Sequence, residues 1–315
     1  MFLENGFLST NKFWKYLVGS LLIFIASTIG QIPWVIAVLI KSFKTGKPFP
    51  TTETTMMTFL NLNATLFLLL FSFVVAFIAI ILVIKYFHKQ TLLSVTTSRE
   101  KVDWKRILFS FSLWGIFTVG STLIMYYTSP ADFVYNFKPI PFLFLAIIGI
   151  LLIPVQTSTE EYVFRGYLMQ GFAVLAKNRW FPLVMTSVIF GTMHIANPEV
   201  EKMGYIILVY YIGTGFFLGI ITLMDEGIEL ALGFHAANNL VTALLVTSDW
   251  SAFQTNSIFK DVSSPSAGFE ILVPVLIIFP ILLFIFSKKY NWTNWKEKLT
   301  GKIIVVEQIG NIEND

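Results

Sequence analysis

Cysteine is absent from the 315 residues. Disulfides, thiolate catalysis and cysteine-based zinc sites are excluded together. Charge is scarce as well: Asp, Glu, Lys and Arg make up 13% of the chain, about half of what a soluble domain carries. Histidine occurs three times, and the His-Glu-x-x-His helix of zinc peptidases does not occur. A net charge of only +3 gives no footprint for nucleic acid. No internal repeat, low-complexity tract or soluble domain is visible.

What the chain has instead is apolar sequence in long blocks. It is 55% hydrophobic and 16% aromatic. About eight blocks are long enough to cross a hydrocarbon layer about 30 Å thick at about 1.5 Å per residue. They fall near 15–40, 61–87, 107–127, 140–157, 180–197, 204–223, 228–247 and 269–287, and the fourth runs on into a more polar helical stretch, 158–177. The first block is too long for a signal peptide and reads as a retained span. The expected fold is therefore all-α: a polytopic bundle of about eight transmembrane helices.

The basic residues are distributed unevenly between the two sets of loops. With the N-terminus in the cytoplasm, one side collects Lys85, Lys89, Arg99, Lys101, Lys105, Arg106, Lys177, Arg179 and the lysines from Lys288 to Lys302. The other side holds Lys41, Lys44, Lys47, Lys138, Lys202 and Lys260. By the positive-inside rule both termini are cytoplasmic. Only Arg165 stands away from a loop or a span end. His88 falls in a basic loop and is expected to be solvated. The Lys-, Ile-, Phe- and Asn-rich usage points to a low-GC bacterium, and so to a bacterial cell membrane.

Three polar groupings break the apolar blocks. The first is TEEYVFR, residues 159 to 165. Glu161 and Arg165 are spaced i, i+4 in the favourable order for a helical ion pair, and pairing lowers the cost of charge at membrane depth. Glu160 points about 100° away from Glu161 on a helix. It is the carboxylate left over, and so the candidate general base. A competing reading makes this stretch a helix start, with Ser158 and Glu161 as a capping box. The second grouping is Phe190 with His194, and the third is His235 with Asn239, each one helical turn apart. A lone histidine of this kind is more often a packed residue than a catalyst. Two of the three histidines within apolar blocks, one with an Asn on its face, is less readily explained as packing.

In order, the three groupings stand as Glu160-Glu161-Tyr-Val-Phe-Arg165, Phe190-Gly-Thr-Met-His194 and His235-Ala-Ala-Asn-Asn239. This resembles the CPBP family of intramembrane proteases, the CAAX-protease and bacteriocin-processing group also called Abi. The resemblance covers about residues 140–247. It divides the chain into N-terminal spans (1–139), a protease core (140–247) and a last span with a polar tail (248–315). It implies an endopeptidase in which Glu160, helped by His194, activates water while His235 and Asn239 stabilise the oxyanion. Glu161, Arg165 and Phe190 would support them.

The family has been described both as metalloproteases and as metal-free glutamate proteases. Glu160, His194 and His235 could supply three ligands to Zn2+ with a fourth position for water. Asn239 is a poor zinc ligand, and a zinc held by Glu160 would leave the base to Glu161, which is engaged by Arg165. The glutamate mechanism is the preferred one. The expected substrate is a membrane-embedded or lipid-anchored peptide, cut near the cytoplasmic face. The competing readings are a catalytically idle scaffold, such as a bacteriocin self-immunity protein, and a proton-coupled transporter. The transporter lacks the inverted repeat that would support it.

Overall fold

The computed structural model describes residues 1–7, 12–265, 268 and 271–303. The start of the predicted eighth block, at 269 and 270, and the end of the polar tail lie outside the described residues. Among the described residues thirteen α-helices follow one another: α1 (Phe13–Thr45), α2 (Glu53–Phe59), α3 (Leu62–Leu82), α4 (Leu92–Thr96), α5 (Trp104–Thr128), α6 (Pro139–Glu161), α7 (Met169–Ala176), α8 (Trp180–Thr192), α9 (Pro198–Met203), α10 (Ile207–Asp225), α11 (Glu229–Leu245), α12 (Phe279–Tyr290) and α13 (Trp295–Thr300). Five helical segments among the described residues are long and apolar enough to cross a membrane: Phe13–Thr45, Leu62–Phe87, Trp104–Thr128, Pro139–Ala176 and Ile207–Asp225.

The other predicted blocks are also helical. α8 has 13 residues, α11 has 17, and α12 has 12 and continues a π-turn, Pro274–Ile278, without a break. At 1.5 Å per residue, α8 reaches only about 20 Å. Among the described residues, length and composition therefore confirm five spanning helices and not the expected eight.

α6 opens on Pro139, which suits the first turn, where its missing N–H has no intrahelical partner. It runs without a break past Ser158 into a π-helical turn, Tyr162–Leu168, and then into α7. No helix starts at Ser158, so the capping-box reading of TEEYVFR is overturned. α1 ends where Gly46 takes a left-handed conformation, φ 68°. Gly233 lets α11 lie against α5 at backbone distance: a Cβ there would sit 2.1 Å from the Ile107 carbonyl oxygen. A small sheet joins the loops at one end, in the order β1 (Phe133–Tyr135), β3 (Phe259–Asp261), β2 (Val246–Ser248). β1 pairs antiparallel and β2 parallel with β3. At three residues each, the strands are too short for alternation to reveal them in sequence.

The helix directions place the N-terminal turn, residues 88–103, 177–179, 226–228 and 291–303 at one end of the bundle. That end is the basic one, as the loop charges predicted. It is closed by polar contacts. The Phe2 N–H donates to Glu226 at 2.7 Å, Arg179 pairs with Glu4 and Glu226, and Arg99 pairs with Asp225 and Glu229. Arg106 joins Asp225 as well.

His88 corrects the sequence reading. It is fully buried, its Nε2 lies 2.7 Å from the Tyr167 hydroxyl, and the Tyr16 ring packs on it at a tilt, centroids 4.4 Å apart. Burial, with the Lys15 charge adding to it, pushes its pKa down to about 4. Unfolded, it titrates near about 6.5. Below that pH the unfolded chain takes up a proton that the folded chain refuses. Stability should therefore fall as pH drops from about 6.5 to 4 and be indifferent to His88 above it. Melting temperatures in detergent across this window, compared with His88→Gln, check this: the variant should show the flatter profile.

Candidate active site

Three apolar clusters meet around the motif residues. Tyr162 belongs to the one built on α1, α3 and α7, Phe234 to the one on α5, α10, α11 and α12, and Ile153 and Leu240 to the third. The charged groups sit between them. Glu161 and Arg165 are wholly buried and pair at 3.0 Å. Arg165 also donates to the Gly215 carbonyl at 3.3 Å and lies over the Phe190 ring, 4.3 Å from its centroid. Gly215 makes that possible: a Cβ there would stand 2.7 Å from the Ser187 carbonyl oxygen, so only glycine lets α10 come this close to α8. The π-turn carries Arg165, and π-turns within α-helices recur at functional sites because the extra residue re-aims side chains.

Adjacent in sequence, the two glutamates have different surroundings. Glu161 accepts from His235 Nδ1 at 2.7 Å in addition to Arg165. The Glu160 side chain is 18% exposed and makes no ion pair with Arg165 among the described contacts; its nearest ionisable partner is His235 Nε2, at 3.6 Å. Gln156, one turn earlier on α6, donates to Glu160 at 2.5 Å, and its carbonyl oxygen accepts from Asn239 at 3.0 Å. Asn238 donates to Asn239 at 3.0 Å and is itself held by the Trp114 indole at 3.1 Å. One network thus runs from Arg165 through Glu161, His235, Glu160 and Gln156 to Asn239.

His194 stands beside this network. α8 ends at Thr192, so the ring lies in the turn beyond the helix, not within a span as the sequence suggests. Its Nδ1 donates to the Phe190 carbonyl at 2.7 Å, and Tyr211 stacks on it at 4.3 Å. A carbonyl or an ion-paired carboxylate only accepts, so these bonds fix a proton on Nδ1 of each ring and leave Nε2 as the ring atom available for chemistry.

Gln156, Asn238 and Tyr211 were not singled out as site residues from sequence. Gln156 carried a usable signal: it is the polar residue that ends the run LAIIGILLIPV one turn before Glu160. Of the tyrosine pair on α10, Tyr211 meets His194, while Tyr210 packs toward Phe279. Among the described residues no three His, Asp or Glu side chains come together as a metal-ion group, Glu160, His194 and His235 included. No chemical step is derived through a metal.

Residues 139–241 match the family model described as type II CAAX prenyl endopeptidase, Rce1-like. The uncharacterized protein YyaK of Bacillus subtilis (strain 168) is 31% identical over 184 residues, 58% of this chain. The match covers 60% of that relative's length. No solved structure matches the chain. The matched segment begins at the first residue of α6 and ends two residues after Asn239, so it spans all three motifs and every residue of the network but Trp114. Over that segment this multi-pass membrane protein is similar to the Rce1-like type II CAAX prenyl endopeptidases.

Proposed function

We propose that the chain is an intramembrane endopeptidase that cleaves a membrane-embedded or lipid-anchored peptide by a glutamate-based mechanism. The observation that carries this is the asymmetry of the two glutamates. Glu161 is bound to Arg165 and His235, whereas Glu160 is partly exposed, held by one amide and faced by His235 Nε2.

In this reading Glu160, with the lone pair of His194 Nε2 beside it, takes a proton from water as its oxygen bonds to the scissile carbonyl carbon. The carbonyl oxygen becomes an oxyanion. The second N–H of the Asn239 amide, the first being spent on Gln156, and an N–H at His235 Nε2 stabilise it. Glu161 orients the His235 ring through Nδ1. Collapse breaks the C–N bond, and the proton held by Glu160 passes to the leaving amine. Arg165, itself held by the Phe190 ring and the Gly215 carbonyl, keeps Glu161 in place.

The test compares peptides from membranes of cells expressing the wild type with those from cells expressing Glu160→Ala at matched levels. New peptide ends that appear only with the wild type support the endopeptidase. If the variant keeps the protein's biological phenotype and no peptide differs, the scaffold reading replaces it. Chelation provides a second check. Cleavage by the purified protein should withstand a strong chelator, and loss of activity restored by added zinc would replace the glutamate mechanism with a metal-dependent one.

A further inference from the structure

Burial changes along the motif helices. Toward the basic end, Glu161, Tyr162 and residues 164–167 are buried, as is all of α11 from Glu229 to Ala237. Toward the opposite end, Glu160, His194, Asn238 and Asn239 are half-buried, and Met193, Ile195 and Ala196 are exposed. The basic end is further sealed by the ion pairs of Arg99, Arg106 and Arg179. Lys298 also donates to the Met224 carbonyl there.

At the opposite end a cavity of about 600 Å³ opens between α1, α2 and the turn after α8, with Trp34, Phe49, Met56, Met57 and Asn197 in its walls. Its volume is in the range of ligand sites. Asn197 places the cavity beside the active site, since its N–H donates to the His194 carbonyl at 3.0 Å within the same turn. Glu199 fixes the wall by accepting from the Ala252 N–H at 2.8 Å. Trp34 is buried, and its indole N–H has no hydrogen-bond partner. A buried donor without a partner is unfavourable, so a shift of the indole that brings its N–H to an acceptor on a ligand is favoured. The phenylalanine and the two methionines offer an adaptable apolar surface beside it.

We propose that the active site is reached from the end of the bundle opposite the basic loops, through this cavity. The occupant is an extended apolar peptide segment: its side chain sits between Phe49 and the methionines, and one of its carbonyls accepts from Trp34. The identity of the occupant rests on the endopeptidase reading; the route does not. Taken with the positive-inside rule, the mouth faces away from the cytoplasm. Substrates are then presented on the outer side of the membrane, not at the cytoplasmic face that the sequence suggested.

The absence of cysteine makes the test direct. Single-cysteine variants are labelled with a membrane-impermeant thiol reagent in right-side-out and inverted vesicles. Lys47→Cys and Lys101→Cys, both exposed and at opposite ends, report the sides. His194→Cys should react from the Lys47 side at least about tenfold faster than from the Lys101 side. Met57→Trp, which fills the cavity, should slow that reaction by about tenfold while leaving Lys47→Cys unchanged. Faster labelling from the Lys101 side, or no effect of Met57→Trp, overturns the proposal. If His194→Cys fails to accumulate, Asn238→Cys takes its place with the same expectations. Loss of the Glu160-dependent peptides would sink the endopeptidase reading without altering these rates, and a reversed labelling pattern would sink the route without altering the peptides.

Discussion

Glu160→Gln should abolish peptide cleavage while leaving the protein as stable as the wild type. The change keeps shape and one oxygen, so the contact with Gln156 can persist, but it removes the basic oxygen that takes the proton from water. General base catalysis contributes about 10²–10⁴-fold, and a nucleophile as weak as water depends on it fully, so the loss belongs at the upper end of that range. Stability should be spared because Glu160 is not part of the Arg165 pair and keeps contact with solvent. Cleavage of a peptide found in the comparison of membrane peptides, measured with purified variants, provides the rate; thermal unfolding in detergent provides the control. Wild-type turnover from Glu160→Gln would remove Glu160 from the chemistry and leave Glu161 as the candidate base.

Arg165→Met should do the reverse and strike the fold. Arg165 and Glu161 are both wholly buried, and removing one partner of a buried pair costs about 3–5 kcal/mol because the other charge is left uncompensated. Here the loss also takes the Gly215 carbonyl's donor and the cation over the Phe190 ring. The expected result is a large fall in melting temperature and in the yield of monodisperse protein. Arg165→Lys should recover only part of it, since an ammonium on a shorter contact surface cannot reach Glu161, Gly215 and the ring together. The double change Arg165→Met with Glu161→Gln should be less damaging than Arg165→Met alone, because no unpaired charge remains. A melting temperature equal to the wild type for Arg165→Met would show that the pair does not hold the bundle together.

The two substitutions separate what adjacent positions do. Glu160 and Glu161 look equivalent in the sequence. Their difference is made by what other helices bring to each: Arg165 and His235 Nδ1 to Glu161, Gln156 and His235 Nε2 to Glu160.

The sequence by itself determined the helical membrane class, because long apolar runs have few other physical solutions. It also determined which loops gather at one end, because alternating spans and the lysine and arginine count leave little freedom. Motif spacing was enough to place Phe190 against His194 and to pair Glu161 with Arg165, since both are contacts along a single helix or its first turn beyond. Contacts between helices were decided only by the tertiary structure. Periodicity marks a face but not its partner, so nothing in the chain announced that Gln156 would bridge Glu160 to Asn239. Nor did it show that Gly215 would bring its carbonyl to Arg165, or that Tyr211 would stack on His194. His88 is the clearest case. Its neighbours in sequence are basic and suggest a solvated loop, while its neighbours in space, Tyr16 and Tyr167, come from α1 and from the π-turn and enclose it. Burial is a property of which surfaces meet, and that depends on packing between segments far apart in the chain.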